Sequence, residues 1–358
     1  MKNVVRILTS LLFIFAVVLI ILLNNTKNDT TAAKIDIPSL KMVTVFNNKN
    51  SDIYNIENYE LRSLGSFNAI RELVYNSKKS VYVYSTDISK GNNLIKSSIQ
   101  ILNNGKTAEL NDFYSAEDLK LNPSGSRIAF RKYRNDSVQS AEGMCIYDIY
   151  KNKYINLNSD VLVSGNLYEW LDDNHILYYG IKSGKDSSSK IYMYDLNNKK
   201  ESIYCDKIDG YCIYFKLLEG NLFILSRQTN GDNFYYYNNL TNKVSSVKGS
   251  MISVYDSVFD KKDDELYLLA TEYGGHANLY KFSPKNLEID KVSYDFPKYV
   301  NLYGGIACDN GGNVFFTGSD LLNSNNDKYS VFVYLKGENS INLISDEDGT
   351  YKIYHDNH

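Results

Sequence analysis

The sequence predicts an all-β fold, a β-propeller of seven four-stranded blades closed by both chain termini and preceded by one N-terminal transmembrane helix. Three observations carry that expectation. An uncharged apolar stretch opens the chain, and a strand-rich unit then recurs about every 45 residues. The two ends of the repeat region supply complementary parts of one more unit.

The opening stretch is Ile7 to Leu23, preceded by Lys2 and Arg6 and followed by Asn24-Asn25-Thr26-Lys27-Asn28-Asp29. A span needs about 20 apolar residues, with roughly 17 at the lower end. A secretory signal has a shorter apolar core, about 7–15 residues, before a small-x-small site. Here the run stays Leu-rich to its end, the small pair Ala32-Ala33 lies well beyond it, and no cysteine follows to accept a lipid. An uncleaved anchor over residues 1–24 is the expectation, with a cleaved signal as the alternative. Positive residues favour the cytoplasmic flank. The expected localisation is therefore the cell membrane, single-pass, with the N-terminus cytoplasmic and the remainder outside. Residues 25–40 read as a linker and 41–358 as the propeller domain.

Within that domain a polar turn repeatedly introduces a short apolar run. The runs begin at Val81, Ile128, Ile176, Leu222, Leu266 and Val314, in steps of 47, 48, 46, 44 and 48. A second register follows each: Ser98–Leu102, Met144–Ile149, Lys190–Leu196, Asn233–Asn238, Asn278–Phe282 and Ser330–Tyr334. These β-branched and aromatic runs, bounded by Asn, Asp, Gly and Ser, have strand character. Weaker runs such as Glu201–Tyr204 and Tyr211–Leu217 complete four strands per copy, the composition of a propeller blade. Six copies are whole. A seventh is shared: Thr350–Tyr354 stands where a first strand belongs, and Met42–Phe46, Asp52–Ile56 and Tyr59–Leu64 supply the other three. Joining them leaves no open sheet edge.

Leu121-Asn122-Pro123-Ser124-Gly125-Ser126-Arg127-Ile128-Ala129-Phe130, followed by Cys145-Ile146-Tyr147-Asp148-Ile149, resembles the TolB-like propeller repeat. The next copy keeps Ile191–Leu196 but puts Asp172-Asp173-Asn174 in place of the Pro-x-Gly turn. The resemblance implies the fold. The translocation protein itself has six blades and an additional α/β domain for which this chain has no room, so its role is not implied.

Composition narrows the function classes. The net charge is −3, with no clustered basic surface of the kind that binds nucleic acid. Cys145, Cys205, Cys212 and Cys308 sit mostly within apolar runs and read as buried thiols rather than disulfides. No Gly-x-Ser-x-Gly elbow is present for a peptidase partner domain. The four histidines, His175, His276, His355 and His358, show no metal-ligand spacing, so no metal is expected. Trp170 is the single Trp, which counts against quinone-cofactor propellers, and no cofactor is expected. Ser345–Tyr351 approximates one sialidase-type Asp box, and its acidic turn reads as an ordinary turn.

Two groups of residues remain as candidates. The loops between second and third strands share a face with the connections between blades, and such loops commonly carry recognition. They contribute Arg131, Arg134, Lys182, Arg227, Glu272 and His276, with a basic sector around Arg131, Arg134 and Arg227 that is expected to bind an anionic glycan, peptide or protein. The expected role is a binding or scaffolding module for a protein, peptide or glycan of the cell envelope. The alternative is a propeller enzyme acting on an envelope saccharide. It would use acids among the innermost-strand residues Glu72, Asp118, Lys120, Glu169, Lys216 and Asp256.

Overall fold

The structure is a computed structural model that describes residues 40–48, 51–67, 70–182, 189–229, 231–320 and 328–356. The expected anchor lies outside the described residues, as does the linker up to residue 39. No described helix is long and apolar enough to cross a membrane.

Among the described residues the strands form seven antiparallel sheets. Their innermost strands are Glu72–Asn76, Ser115–Leu121, Val161–Trp170, Tyr211–Leu218, Met251–Asp260, the two-piece Tyr299–Val300 and Ile306–Cys308, and Tyr351–His355. Each lies against its neighbours on both sides, and the last returns to the first, so the seven blades close a ring around a channel. Blades are numbered 1 to 7 in that order.

The repeat register was readable because of where the second strands sit. Val81–Ser85, Ile176–Gly180, Leu222–Ser226 and Val314–Gly318 are buried along their length, packed between adjacent blades. A strand covered on both faces reads as an unbroken apolar run rather than an alternating one. The core is accordingly a series of layers between blades, each filled by facing side chains. Phe113 and Phe130 pack between blades 1 and 2, and Phe223 and Phe282 between blades 4 and 5.

Blade 7 joins both ends of the chain as expected. Its sheet runs from Tyr351–His355 through Val43–Asn47 and Asp52–Glu57 to Glu60–Ser66. The seam pairs Val43 with His355 and Asn47 with Tyr351. Two features depart from the simple repeat. The innermost strand of blade 6 is interrupted by Asn301–Gly305, and innermost strands elsewhere carry bulges.

Candidate functional site

Antiparallel order fixes which groups share a face. The second-to-third loops and the connections between blades lie at one end of the channel, here the mouth face. The tight first-to-second and third-to-fourth turns lie at the other.

Bulges in the innermost strands are concentrated toward the mouth. The register shifts between Glu117 and Lys120 in blade 2 and between Val163 and Tyr168 in blade 3. It shifts between Cys212 and Tyr214 in blade 4 and between Val254 and Asp256 in blade 5. Blade 6 adds the Asn301–Gly305 interruption. Bulges recur beside functional sites because the extra residue is re-aimed out of the ladder. In blade 2 that residue is Asp118, held at φ 62°, a left-handed conformation that L side chains seldom adopt.

The re-aimed residues divide the mouth into two sectors. Blades 1 and 2 form a charged one. Glu117 accepts from Arg71 and from Arg131 at 3.1 Å, and Arg131 also lies 2.9 Å from Asp118. The Glu72 carboxylate accepts from the Asp118 and Leu119 amides at 3.2 and 2.9 Å. Burial pushes the Glu72 carboxyl above its ordinary value, and it does the same to Asp118 against the pull of Arg131. Lys352 of blade 7 donates to the Arg71 carbonyl at 3.1 Å, and burial lowers its pKa.

Deeper in the channel, Glu169 bridges three blades, 2.7 Å from the Lys120 ammonium and 3.4 Å from that of Lys216. Burial pushes the Glu169 carboxyl up, but the two ammoniums outweigh it and hold it below the usual range. Asp256 behaves oppositely, since burial raises it despite Lys216 nearby. Tyr168 donates to the Asp118 carbonyl at 2.7 Å and Trp170 to that of Lys120 at 2.8 Å. These contacts run from blade to blade across blades 2, 3 and 4. Among the described residues no three His, Cys, Asp or Glu side chains converge as a metal site.

Blades 4 to 6 form an aromatic sector. Tyr211 opens the innermost strand of blade 4, Tyr255 is the bulged residue of blade 5, and Tyr303 projects from the blade 6 interruption. Tyr273 tips the second-to-third loop of blade 5, and Tyr294, Phe296 and Tyr299 line the connection into blade 6. All seven are exposed, Tyr273 at 92 % and Tyr303 at 76 %. The Tyr255 and Tyr303 rings meet edge to face, with centroids 5.5 Å apart.

The six loop-face candidates do not form one cluster. Arg131 is turned inward onto Glu117 and Asp118. Arg134 remains on the rim with Glu142 at 2.8 Å, and Lys182 lies 3.7 Å from Glu201. Arg227 holds Asp232 at 3.1 Å through two guanidinium nitrogens, and Glu272 lies 3.6 Å from Lys291. His276 is exposed in the blade 5 loop, where its carbonyl accepts from the Glu272 amide at 3.3 Å. Each charged member is thus partnered within its own blade. A cleft of about 800 Å³ also opens between blades 2 and 3, lined by Lys132, Glu142, Cys145, Tyr154, Leu162 and Tyr178. Sequence reasoning missed the tyrosine sector, because Ser253–Asp256 reads as unbroken strand. The Tyr303-Gly304-Gly305 sequence was the available signal, since glycine inside a strand pattern marks a bulge.

No family model matches the sequence, and no curated protein does. Solved propellers do match in structure. A quinonprotein alcohol dehydrogenase-like protein from Bacteroides thetaiotaomicron superposes with TM-score 0.54 at 14 % identity, covering 88 % of this chain and 78 % of that one. Dipeptidyl peptidase 4 from Porphyromonas gingivalis gives TM-score 0.51 at 12 % identity, covering 90 % of this chain but only 55 % of that one. TolB from Acinetobacter baumannii is also among the matches, with TM-score 0.47 at 11 % identity, covering 84 % of this chain and 78 % of that one. At these identities the likeness is one of fold alone.

Proposed function

We propose that this chain is a binding or scaffolding propeller, tethered outside the cell by its N-terminal segment, that presents the mouth face to a protein, peptide or glycan of the envelope. One observation carries the reading: innermost strands of five successive blades break register toward the mouth, and the aromatic side chains there stay in water. Monomeric proteins rarely leave contiguous apolar surface exposed without a partner for it. Tyrosine is also among the residues most often found at the energetic centre of interfaces. The opposite face offers Leu240, Tyr150 and Tyr59 as single residues on blades 4, 2 and 7, and scattered single residues need no partner.

A photo-crosslinking residue placed at position 273 or 240 in the full chain, in living cells, tests this. The two positions are exposed to 92 % and 93 % on opposite faces. Adducts with an envelope component from 273 but not from 240 are expected. Equal yields, or none from 273, would contradict a mouth-face partner.

A further inference from the structure

We infer that the Tyr255–Tyr303 corner is a subsite for a neutral saccharide, with one ring stacked beneath a pyranose and the hydroxyls directed into the channel. The inference rests on the binding reading above and names its ligand class.

The corner is built rather than incidental. Tyr303 sits on a segment whose backbone is tied at several points: the Asn301 amide donates to the Thr317 carbonyl at 2.9 Å, and the Tyr303 amide to Asn301 Oδ1 at 3.1 Å. The Ile353 amide then donates to the Gly304 carbonyl at 2.7 Å. Both glycines are required. A Cβ on Gly304 would collide with Thr317 Oγ1, and Gly305, at φ 78°, has no room beside the Ile353 carbonyl. Tyr255 meets Tyr303 at an interplanar angle of 84°, so the two rings present perpendicular apolar surfaces at a fixed spacing. A tyrosine ring offers broad contact area with little rotamer freedom to lose.

Charge selects among ligands. Four channel cations are already paired, Arg71 by Glu117, Arg131 by Glu117 and Asp118, and Lys120 and Lys216 by Glu169, and Lys352 is held on the Arg71 carbonyl. An anionic ligand reaching into the channel would have to break those pairs. A neutral polyol would not, because alternating ammonium and carboxylate groups supply donors and acceptors to hydroxyls without a change in net charge. Asp256, next in sequence to the bulged Tyr255, adds a carboxyl whose Oδ1 accepts from the Ser257 amide at 2.8 Å. Flat apolar faces above and mixed polar groups below match the two chemistries of a pyranose, apolar C–H face and hydroxyl edge.

Calorimetric titration of the full chain in detergent tests the assignment, with cellohexaose, xylohexaose, maltohexaose and chitohexaose as neutral probes and hexagalacturonate as the anionic one. At least one neutral probe should bind with Kd below about 1 mM. Tyr255→Ala and Tyr303→Ala should each weaken it about tenfold, whereas Tyr255→Phe and Tyr303→Phe should stay within about threefold, because the stacking face is kept. The Phe variants guard against loss of folding as an explanation. Failure of every neutral probe, tighter binding of hexagalacturonate, or unchanged affinity in the Ala variants overturns the inference. Crosslinks from position 273 without saccharide binding would sink the saccharide and leave the binding face standing. Absence of both would sink both.

Discussion

At the scale of single residues, the channel shows why charge in a sequence does not translate directly into a binding site. Arg131 reads as an exposed loop cation, yet its guanidinium is committed to Glu117 and Asp118. Glu117 faces Arg131 directly across the ladder, and a bulge that nothing in the residue order marks swings Asp118 into reach as well. The channel acids were legible as polar positions on inner strands, but their unequal environments were not. Glu169 has two ammonium partners, whereas Asp256 is desolvated more than Lys216 compensates. A carboxyl raised in the folded state binds its proton more tightly there than in the unfolded chain. Its charge therefore opposes folding above the folded-state pKa, and that penalty fades as pH falls below the ordinary carboxylate range. Asp256→Asn should consequently raise the melting temperature at pH 7, by about 2 °C for a domain of this size, and the gain should vanish toward pH 3. Melting curves of both proteins across that range would show it. A variant less stable than wild type at pH 7 would mean that Lys216 outweighs burial.

Elements repeat this division between what patterning shows and what contacts decide. The second strands were placed within a residue or two because burial on both faces demands continuous apolar runs. Tyr299 to Cys308 was a different case: its composition suits one inner strand, and the break is set by the approach of blade 7. Gly305 is where that approach is tightest, at φ 78° against the Ile353 carbonyl. Gly305→Ala must therefore distort the backbone, move the neighbouring strand, or both. It should destabilise the protein by about 2 kcal/mol, at the strong end of ordinary single substitutions. Gly337, in a third-to-fourth turn with nothing within 4 Å of an added Cβ, is the matched control and should change stability by less than about 0.5 kcal/mol. Equilibrium denaturation of the two variants compares them directly. Equal stabilities would show that the interruption in blade 6 is soft, and a soft interruption cannot hold Tyr303 in place.

For the whole molecule the decisive feature is the seam. Propeller blades contact only their neighbours, so one open junction releases two sheet faces to water together. Closure here depends on Tyr351–His355, which pairs with Val43–Asn47 and buries Tyr351 and Ile353 to 6 % and 4 % exposure. The same strand reaches sideways as well, to the Gly304 carbonyl through the Ile353 amide and to Ser77 through Asp356 at 3.2 Å. It therefore fastens blade 7 to both neighbours. Burying two such side chains contributes about 4 kcal/mol, set against a net stability of roughly 5–15 kcal/mol for a folded domain. The freed edge of Val43–Asn47 would in addition be a template for pairing between chains. A chain ending at Gly349 should then lose most of its cooperative melting transition and tend to aggregate. A synthetic peptide spanning residues 350–358 should restore the transition in trans, with a midpoint that climbs with peptide concentration as ligand linkage requires. If the shortened chain melts at the wild-type temperature, the ring is held by its interblade layers alone and the seam is ornamental. If the peptide rescues it, closure by both termini is the step that completes the fold, and the mouth-face sectors on blades 1 and 6, which flank the seam, depend on it for their spacing.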